Sequence, residues 1–408
     1  MIILSLELIS AQERWNYSAK VIEGNKVDGT EIRQLNEEVK FVKTNKLILT
    51  DKAAQHIKDD VLYLSGNTMM ISDFDTLTCD SMVYWSKLDS GYAVGNVRYI
   101  QSDNKREITT DIFHYWQTDG YRGSSFIADG FTRIIETGRL IAANKIIYND
   151  DLQLMNLFSN ASIEDVNRGL LGDQIEIQYT DSTLDKVFID KKAFAYNNLD
   201  IRVKKEGSYQ KFRDEMSSTS MLAIFKNEKI SNLNLYNMAS TLYHVVDDSL
   251  LAGVNNVSGD TISIYFSFDE LSRLEVKGGA QGEFEPEGDN TRIDTTIFYG
   301  AEYIDYHIDK RSSFLSNNAF LKYENTELNS GNILINWDTN ILDASSLGNE
   351  LPSIKTKGES PMTGDNMVFD LIEKHGRIIK GNTALNQGIY HGNEVFRDEP
   401  NIFHVNKS

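Results

Sequence analysis

Apolar and polar residues alternate with a period of two along most of the chain. Windows such as Lys46-Leu-Ile-Leu-Thr50, Val61-Leu-Tyr-Leu64, Asp260-Thr-Ile-Ser-Ile-Tyr-Phe266 and Asn332-Ile-Leu-Ile-Asn-Trp337 are rich in β-branched and aromatic residues. Gly, Asn, Asp and Ser bound them, the signature of strands with one buried face. No stretch keeps an i, i+3, i+4, i+7 apolar face over three turns. Short helices are expected only over Glu31–Glu38 and Phe212–Ser220. Turns are expected at Asp28-Gly29, Asp119-Gly120, Asp129-Gly130, Gly278-Gly279 and Asn329-Ser-Gly331. Strand and turn signals recur every ~8–15 residues, the spacing of a sandwich, barrel or solenoid. The pattern predicts an all-β protein.

One phrase returns within this pattern. Gly66-Asn67 precedes Thr-Met-Met-Ile and Gly95-Asn96 precedes Val-Arg-Tyr-Ile, 29 residues later. Gly-Asp versions open strands at Gly172, Gly259 and Gly364. A period in this range is a sign of stacked structural units, which offer a long surface or groove. The phrase is expected to be the turn that starts each strand. All four prolines (Pro286, Pro352, Pro361 and Pro400) lie in the last third, as expected if the rest pairs continuously, because proline cannot donate to a ladder.

The 408 residues allow two or three domains or one repeat array. Polar shifts at Lys204–Ser218 and Ala344–Thr363 suggest blocks over residues 14–205, 206–345 and 346–408. Residues 1–13 read as a signal-peptide remnant, from the apolar run Ile3–Gln12 ending in small residues. Glu7 interrupts that run and no Lys or Arg precedes it, so an ordinary first strand is the other reading. Nothing later approaches the ~20 apolar residues of a membrane helix. A net charge of -19 and a pI near 4.8 argue against a nucleic-acid partner, which requires clustered Lys and Arg.

Candidate chemistry is sparse. His56, His114, His244, His307, His375, His391 and His404 show no zinc-ligand spacing. No P-loop or GxSxG elbow occurs, so no catalytic residue, metal or cofactor is expected. Asp73 and Asp75 could in principle act in glycoside cleavage, but two neighbouring carboxylates among 60 acidic residues fit a solvated turn better. Asp59-Asp60 and Asp247-Asp248 could meet calcium but lack an EF-hand loop. The single cysteine, Cys79, excludes an internal disulfide and reads as a small buried apolar residue beside Leu77.

Gly-Asn-Val strands alternate with strands closing in Asp, as in Thr76-Leu-Thr-Cys-Asp80 and Glu107-Ile-Thr-Thr-Asp111. This alternation resembles the OstA-like β-jellyroll repeats of lipopolysaccharide-transport proteins, the family of LptA and the periplasmic N-terminal part of LptD. Val257–Phe266 with Leu274–Gly282 resembles the second OstA block of long LptD-like proteins. Pro361–Asp370, Gly376–Thr383 and Gly388–Gly392 resemble the segment leading into the outer-membrane barrel. The resemblance covers most of residues 20–408. The chain is much longer than a stand-alone LptA and stops at Ser408 without barrel strands, as the periplasmic portion of an LptD-like protein would.

The resemblance implies an elongated, twisted, open β-jellyroll of tandem repeats, with two sheets forming a V-shaped trough. It implies a periplasmic, non-enzymatic protein that shields the lipid A acyl chains of lipopolysaccharide and passes them to the outer membrane. LptA/LptC-like partners would join by edge-strand addition, and an outer-membrane barrel could follow. The alternating apolar residues expected to line the groove are Leu62, Leu64, Met70, Leu77, Val83, Val97, Tyr99, Ile108, Phe113, Ile175, Ile177, Ile262, Ile264 and Phe266. The same parity suits an ordinary closed core. The alternative is a β-solenoid or β-sandwich of the cell envelope, structural or carbohydrate-binding, without lipid cargo.

Overall fold

The computed structural model describes residues 14–27, 30–72, 75–102, 105–117, 124–136, 138–181, 183–202, 209–247, 250–268, 270–287, 293–385, 388–399 and 402–406. Among them every regular element is a strand. The chain forms two compact units, Met1–Val166 and Asn167–Ser408.

The first unit contains β1 (Asn16–Ser18), β2 (Val21–Val27), β3 (Thr30–Lys43), β4 (Lys46–His56), β5 (Val61–Ile71) and β6 (Asp75–Trp85). It continues with β7 (Ser90–Gln101), β8 (Arg106–Gln117), β9 (Ser124–Glu136), β10 (Arg139–Asn149) and β11 (Leu154–Glu164). From β3 onward each strand pairs antiparallel with the next. β2 and β1 pair with the two halves of β3.

Every one of these long ladders slips at mid-strand, and the repeated phrase stands at the slip. Between Ser65/Thr68 and Val94/Val97 the intervening residues are Gly66-Asn67 and Gly95-Asn96, all in the left-handed region (φ 80° and 44°, 81° and 47°). The neighbouring strands place Asp51, Asp80 and Asp111 at the same level. A Cβ on Gly66, Gly95 or Gly130 would lie 2.5, 2.3 or 2.5 Å from an Oδ2 of these aspartates. Asn67 Nδ2 donates to Asp51 and Asn96 Nδ2 to Asp80, each at 2.9 Å. The Gly-Asn phrases and the Asp-ending strands are thus two sides of one corner, not hairpin turns. Each corner is a bulge that bends its strand. β4, β6 and β8 take one residue fewer through it than β5 and β7, so their inward parity switches at Asp51, Asp80 and Asp111.

The bend gives each strand two arms with facing apolar sides. One arm stacks Ile48, Met70, Leu77, Tyr99, Ile108 and Ile134; the other stacks Ala53, Leu64, Met82, Ala93, Phe113 and Ala128. Small residues line the vertex, where Thr50 bonds Thr68 and Thr110 bonds Thr132 at 3.0 and 2.9 Å. Contacts cross between the arms. Tyr99 meets Phe113 and Tyr115 at 5.1 and 6.4 Å between ring centroids, Tyr115 Oη donates to Met70 Sδ, and Trp15 packs edge-on against both Phe41 and Tyr84. At an arm end, buried Arg106 donates to buried Glu136 at 2.8 Å and lies over the Tyr148 ring.

The second unit repeats the device on longer strands: β12 (Arg168–Thr180), β13 (Thr183–Arg202), β14 (Tyr209–Lys226), β15 (Lys229–Asp247), β16 (Leu250–Ser267) and β17 (Glu270–Pro286). Then come β18 (Ile297–His307), β19 (Ser312–Tyr323), β20 (Thr326–Asn336), β21 (Ile341–Ser345) and β22 (Ser353–Thr356). The last strands are β23 (Met362–Thr363), β24 (Asn366–Asp370), β25 (Gly376–Leu385), β26 (Gly388–Glu399) and β27 (Ile402–Asn406). Left-handed pairs recur at Lys191-Lys192, Asn237-Met238, Gly278-Gly279 and Asn317-Asn318. Beyond β20 the arms continue as separate short strands, β21 on one half of β20 and β22 on the other. Pro352 and Pro361 stand just before β22 and β23, and Pro286 ends β17, so these prolines sit where long strands stop or break.

Several expectations are corrected. Glu31–Glu38 and Phe212–Ser220 lie in β3 and β14, not helices. Asp129-Gly130, Gly278-Gly279 and Asn329–Gly331 lie within β9, β17 and β20, not at turns. Residues 1–13 and the pairs Asp28-Gly29 and Asp119-Gly120 fall wholly or partly outside the described residues. The proposed block edges at 205 and 345 fall inside the second unit, where β13 pairs with β14 and β21 with β24.

Gly95→Ala should cost about 2 kcal/mol, because it adds left-handed strain and pushes on Asp80. Met238→Gly, at an exposed left-handed position, should stabilise by roughly 0.5–1 kcal/mol. Urea denaturation reads both. Glu136→Ala removes one buried partner of Arg106 and should cost about 1.5–3 kcal/mol in the same assay.

Candidate functional site

Long strands and an opening ladder create the most distinctive feature of the second unit. β14 and β15 pair only from Glu215↔Leu242 to Lys226↔Lys229; beyond that their ends part. Asp214 takes over as a capping group, with Oδ1 accepting from the His244 backbone N–H and lying 2.9 Å from its Nδ1. The far end of β13 meets the start of β16 in a parallel bridge, Arg202↔Leu250. Beside this opening, between the two arms, lies a cavity of about 450 Å³. This volume is within the range of small-molecule sites.

Val257, Phe284 and Tyr299 face the cavity from one arm, and Leu274, Ile304 and Tyr306 from the other. Ile308, Arg311, Trp337 and Asn340, in the β18–β19 and β20–β21 connections, line the end away from the corners. The walls are mainly apolar, with a fixed polar relay. Tyr299 Oη donates to Asn255 Oδ1 at 2.9 Å, and Asn255 Nδ2 donates to Tyr243 Oη at 2.6 Å. Burial holds the Tyr243 and Tyr299 phenols above their ordinary range, so they stay neutral. Burial also pushes Tyr306 up to about 12, opposed by the nearby Arg311 cation. Among the described residues the Tyr306 hydroxyl has no hydrogen-bond partner. Arg311 and Asp338 form a half-exposed ion pair at 2.9 Å. The cavity can therefore hold an apolar chain, offer an uncharged hydroxyl inside, and present charge near its end.

None of the residues expected to line a groove lines this cavity. Leu62, Leu64, Met70, Leu77, Val97, Tyr99, Ile108 and Phe113 are buried in the interlocked core of the first unit. Leu62, Ile108 and Phe113 are 0% exposed. Ile175, Ile177, Ile262 and Ile264 are equally buried in the second unit. Val83 is corrected to the outer face: the parity switch at Asp80 turns Met82 and Tyr84 inward instead. Phe266 is only half-buried, because the β16–β17 register slips again between Tyr265 and Phe266. The residues that were missed carried a visible signal. Tyr243, Asn255 and Tyr299 are polar or amphipathic at inward positions, where the neighbouring rungs have aliphatics.

The other candidates do not assemble into a reactive centre. Cys79 is buried at the vertex, and burial, with the Asp80 charge adding, pushes its thiol up to about 12, which fits its reading as a packed residue. Asp73 and Asp248 lie outside the described residues, and Asp59-Asp60 sits in the β4–β5 turn. No group of three His, Cys, Asp or Glu able to hold a metal occurs among the described residues. No protein-family model matches this sequence, and no curated protein matches it significantly.

Asn255→Leu leaves two buried phenols without their partner and should cost about 2 kcal/mol, against about 1 kcal/mol for Tyr299→Phe. Thermal denaturation of both variants checks the order.

Proposed function

We propose that the protein is an OstA-like carrier of the envelope, working in the periplasm, which shelters acyl chains of a lipopolysaccharide-type amphiphile and hands them toward the outer membrane. The observation that carries this reading is the cavity between the arms of the second unit. It is apolar along its walls and has hydroxyls inside, which matches a hydroxylated acyl chain. Two features lend further support. The phrases that carry the family resemblance are the corners that bend each strand, and bending is what an apolar trough requires. Val257 and Leu274, from the segments resembling the second OstA block, line the cavity itself.

Carriage of this kind requires no catalytic residue, only burial. Each methylene removed from water contributes about 0.8 kcal/mol, so a chain of about ten contributes roughly 8 kcal/mol before association costs of about 4–15 kcal/mol. A single chain is then held reversibly, as a transfer protein needs. Edge strands at either end of the ladders could receive LptA/LptC-like partners, and a barrel could follow. A structural or carbohydrate-binding protein without lipid cargo would leave the cavity without a use.

The full chain should bind a dansylated fatty acid, and lipopolysaccharide should displace it. Ala252→Trp and Val257→Trp, which fill the cavity, should weaken binding at least about tenfold, the scale of two lost methylenes. A photocrosslinker at position 257 should label lipopolysaccharide and one at position 97 should not. No dansyl binding, or equal binding by the tryptophan variants, overturns the reading.

A further inference from the structure

The outer face of one arm of the first unit differs from the rest of the surface. Directly opposed positions run from Ala54 through Tyr63, Val83, Tyr92 and His114 to Ile127, on β4 to β9. None is charged, in a chain where 25% of residues are Asp, Glu, Lys or Arg. The matching row on the outside of the other arm carries Lys40, Arg98 and Arg133. Trp85 and Trp116 flank the uncharged row. His114 touches Trp85, Tyr92 and Trp116 with ring centroids 6.5, 6.1 and 5.3 Å away, and His56 lies 4.9 Å from Tyr63. Tyr63 and Tyr92 are 45% and 38% exposed, far more than ladder packing requires.

The polar tips decide what such a face can accept. Among the described residues, neither tyrosine hydroxyl, neither indole N–H and neither imidazole of this group has a hydrogen-bond partner. An apolar protein surface docked here would bury these donors unsatisfied, a recurring cost. A ligand with an apolar ring face and hydroxyls around its rim avoids that cost: its C–H face stacks on the aromatic rings while its hydroxyls meet the free tips. Pyranose sugars have this form. Tyr63 and Tyr92 are separated by two strand steps, roughly 9.5 Å, so they can seat successive parts of one chain. The absence of lysine and arginine from the row selects a neutral glycan over an acidic one.

We propose that this outer face, centred on Tyr63, Trp85, Tyr92 and Trp116, binds a neutral polysaccharide chain. The site is separate from the cavity of the second unit and does not depend on lipid carriage. Affinity electrophoresis of the full chain through gels containing dextran, mannan, starch or β-1,3-glucan tests it. Retardation is expected in at least one gel, with affinity roughly tenfold weaker in Tyr92→Ala and in Trp116→Ala, as for loss of one stacking ring. The thermal midpoint and dansyl fatty-acid binding should be unchanged in both variants, which keeps this result distinct from the lipid reading. No retardation in any gel, or equal retardation of the variants, overturns the proposal. So does sedimentation showing self-association that the same variants abolish, which would assign the face to a second copy.

Discussion

The fold depends on one constraint: each long strand must turn a corner without breaking its ladder. A bulge with two left-handed residues achieves this, at a conformational cost that only glycine escapes. Where the residues are Gly-Asn, the cost is low and Asp51 or Asp80 fills the space where a Cβ would be. Where they are Glu37-Glu38, Lys191-Lys192 or Asn317-Asn318, the strain is accepted and the surrounding ladder enforces it. The geometry is therefore imposed by the stack, not by any single sequence. This explains why the repeat is so uneven to the eye.

The all-β class was legible because parity and turn residues are local properties. The corners were not, since a Gly-Asn pair is also a hairpin signal, and only pairing on both sides distinguishes the two. Parity extrapolated across a corner then fails on the strands that spend one residue fewer there. Leu77 was placed correctly and Val83, beyond Asp80, was not. Phe113, on the far side of Asp111, does face inward. The cavity was illegible for a different reason. It is enclosed by residues from β15 to β18 and from the β18–β19 and β20–β21 connections, a relation between distant segments that no local pattern marks.

The two units use the same corner and reach different interiors. In the first, large and small residues alternate from Met82 onward along one arm (Met82, Ala93, Phe113, Ala128), and rings from the other arm pack against them. Such interdigitation leaves no room for a guest. In the second, longer strands carry the arms beyond the point where all ladders remain paired. Inward tyrosines there spend their hydroxyls on Asn255, a relay that lies within one arm and leaves the facing arm apart from it.

A bent ladder has an inside and an outside to each arm, and the two are chemically independent because neighbouring residues point opposite ways. Met82 and Tyr84 can be conserved in size by the core while Val83 and Trp85, on the same strand, answer only to whatever lies outside. An acidic protein would ordinarily fill such outward positions with charge, which favours solubility. Leaving one outward row uncharged and aromatic while its counterpart on the other arm carries charge is therefore not a requirement of folding. A surface that the fold does not need, on a scaffold this rigid in register, points to a contact made with another molecule.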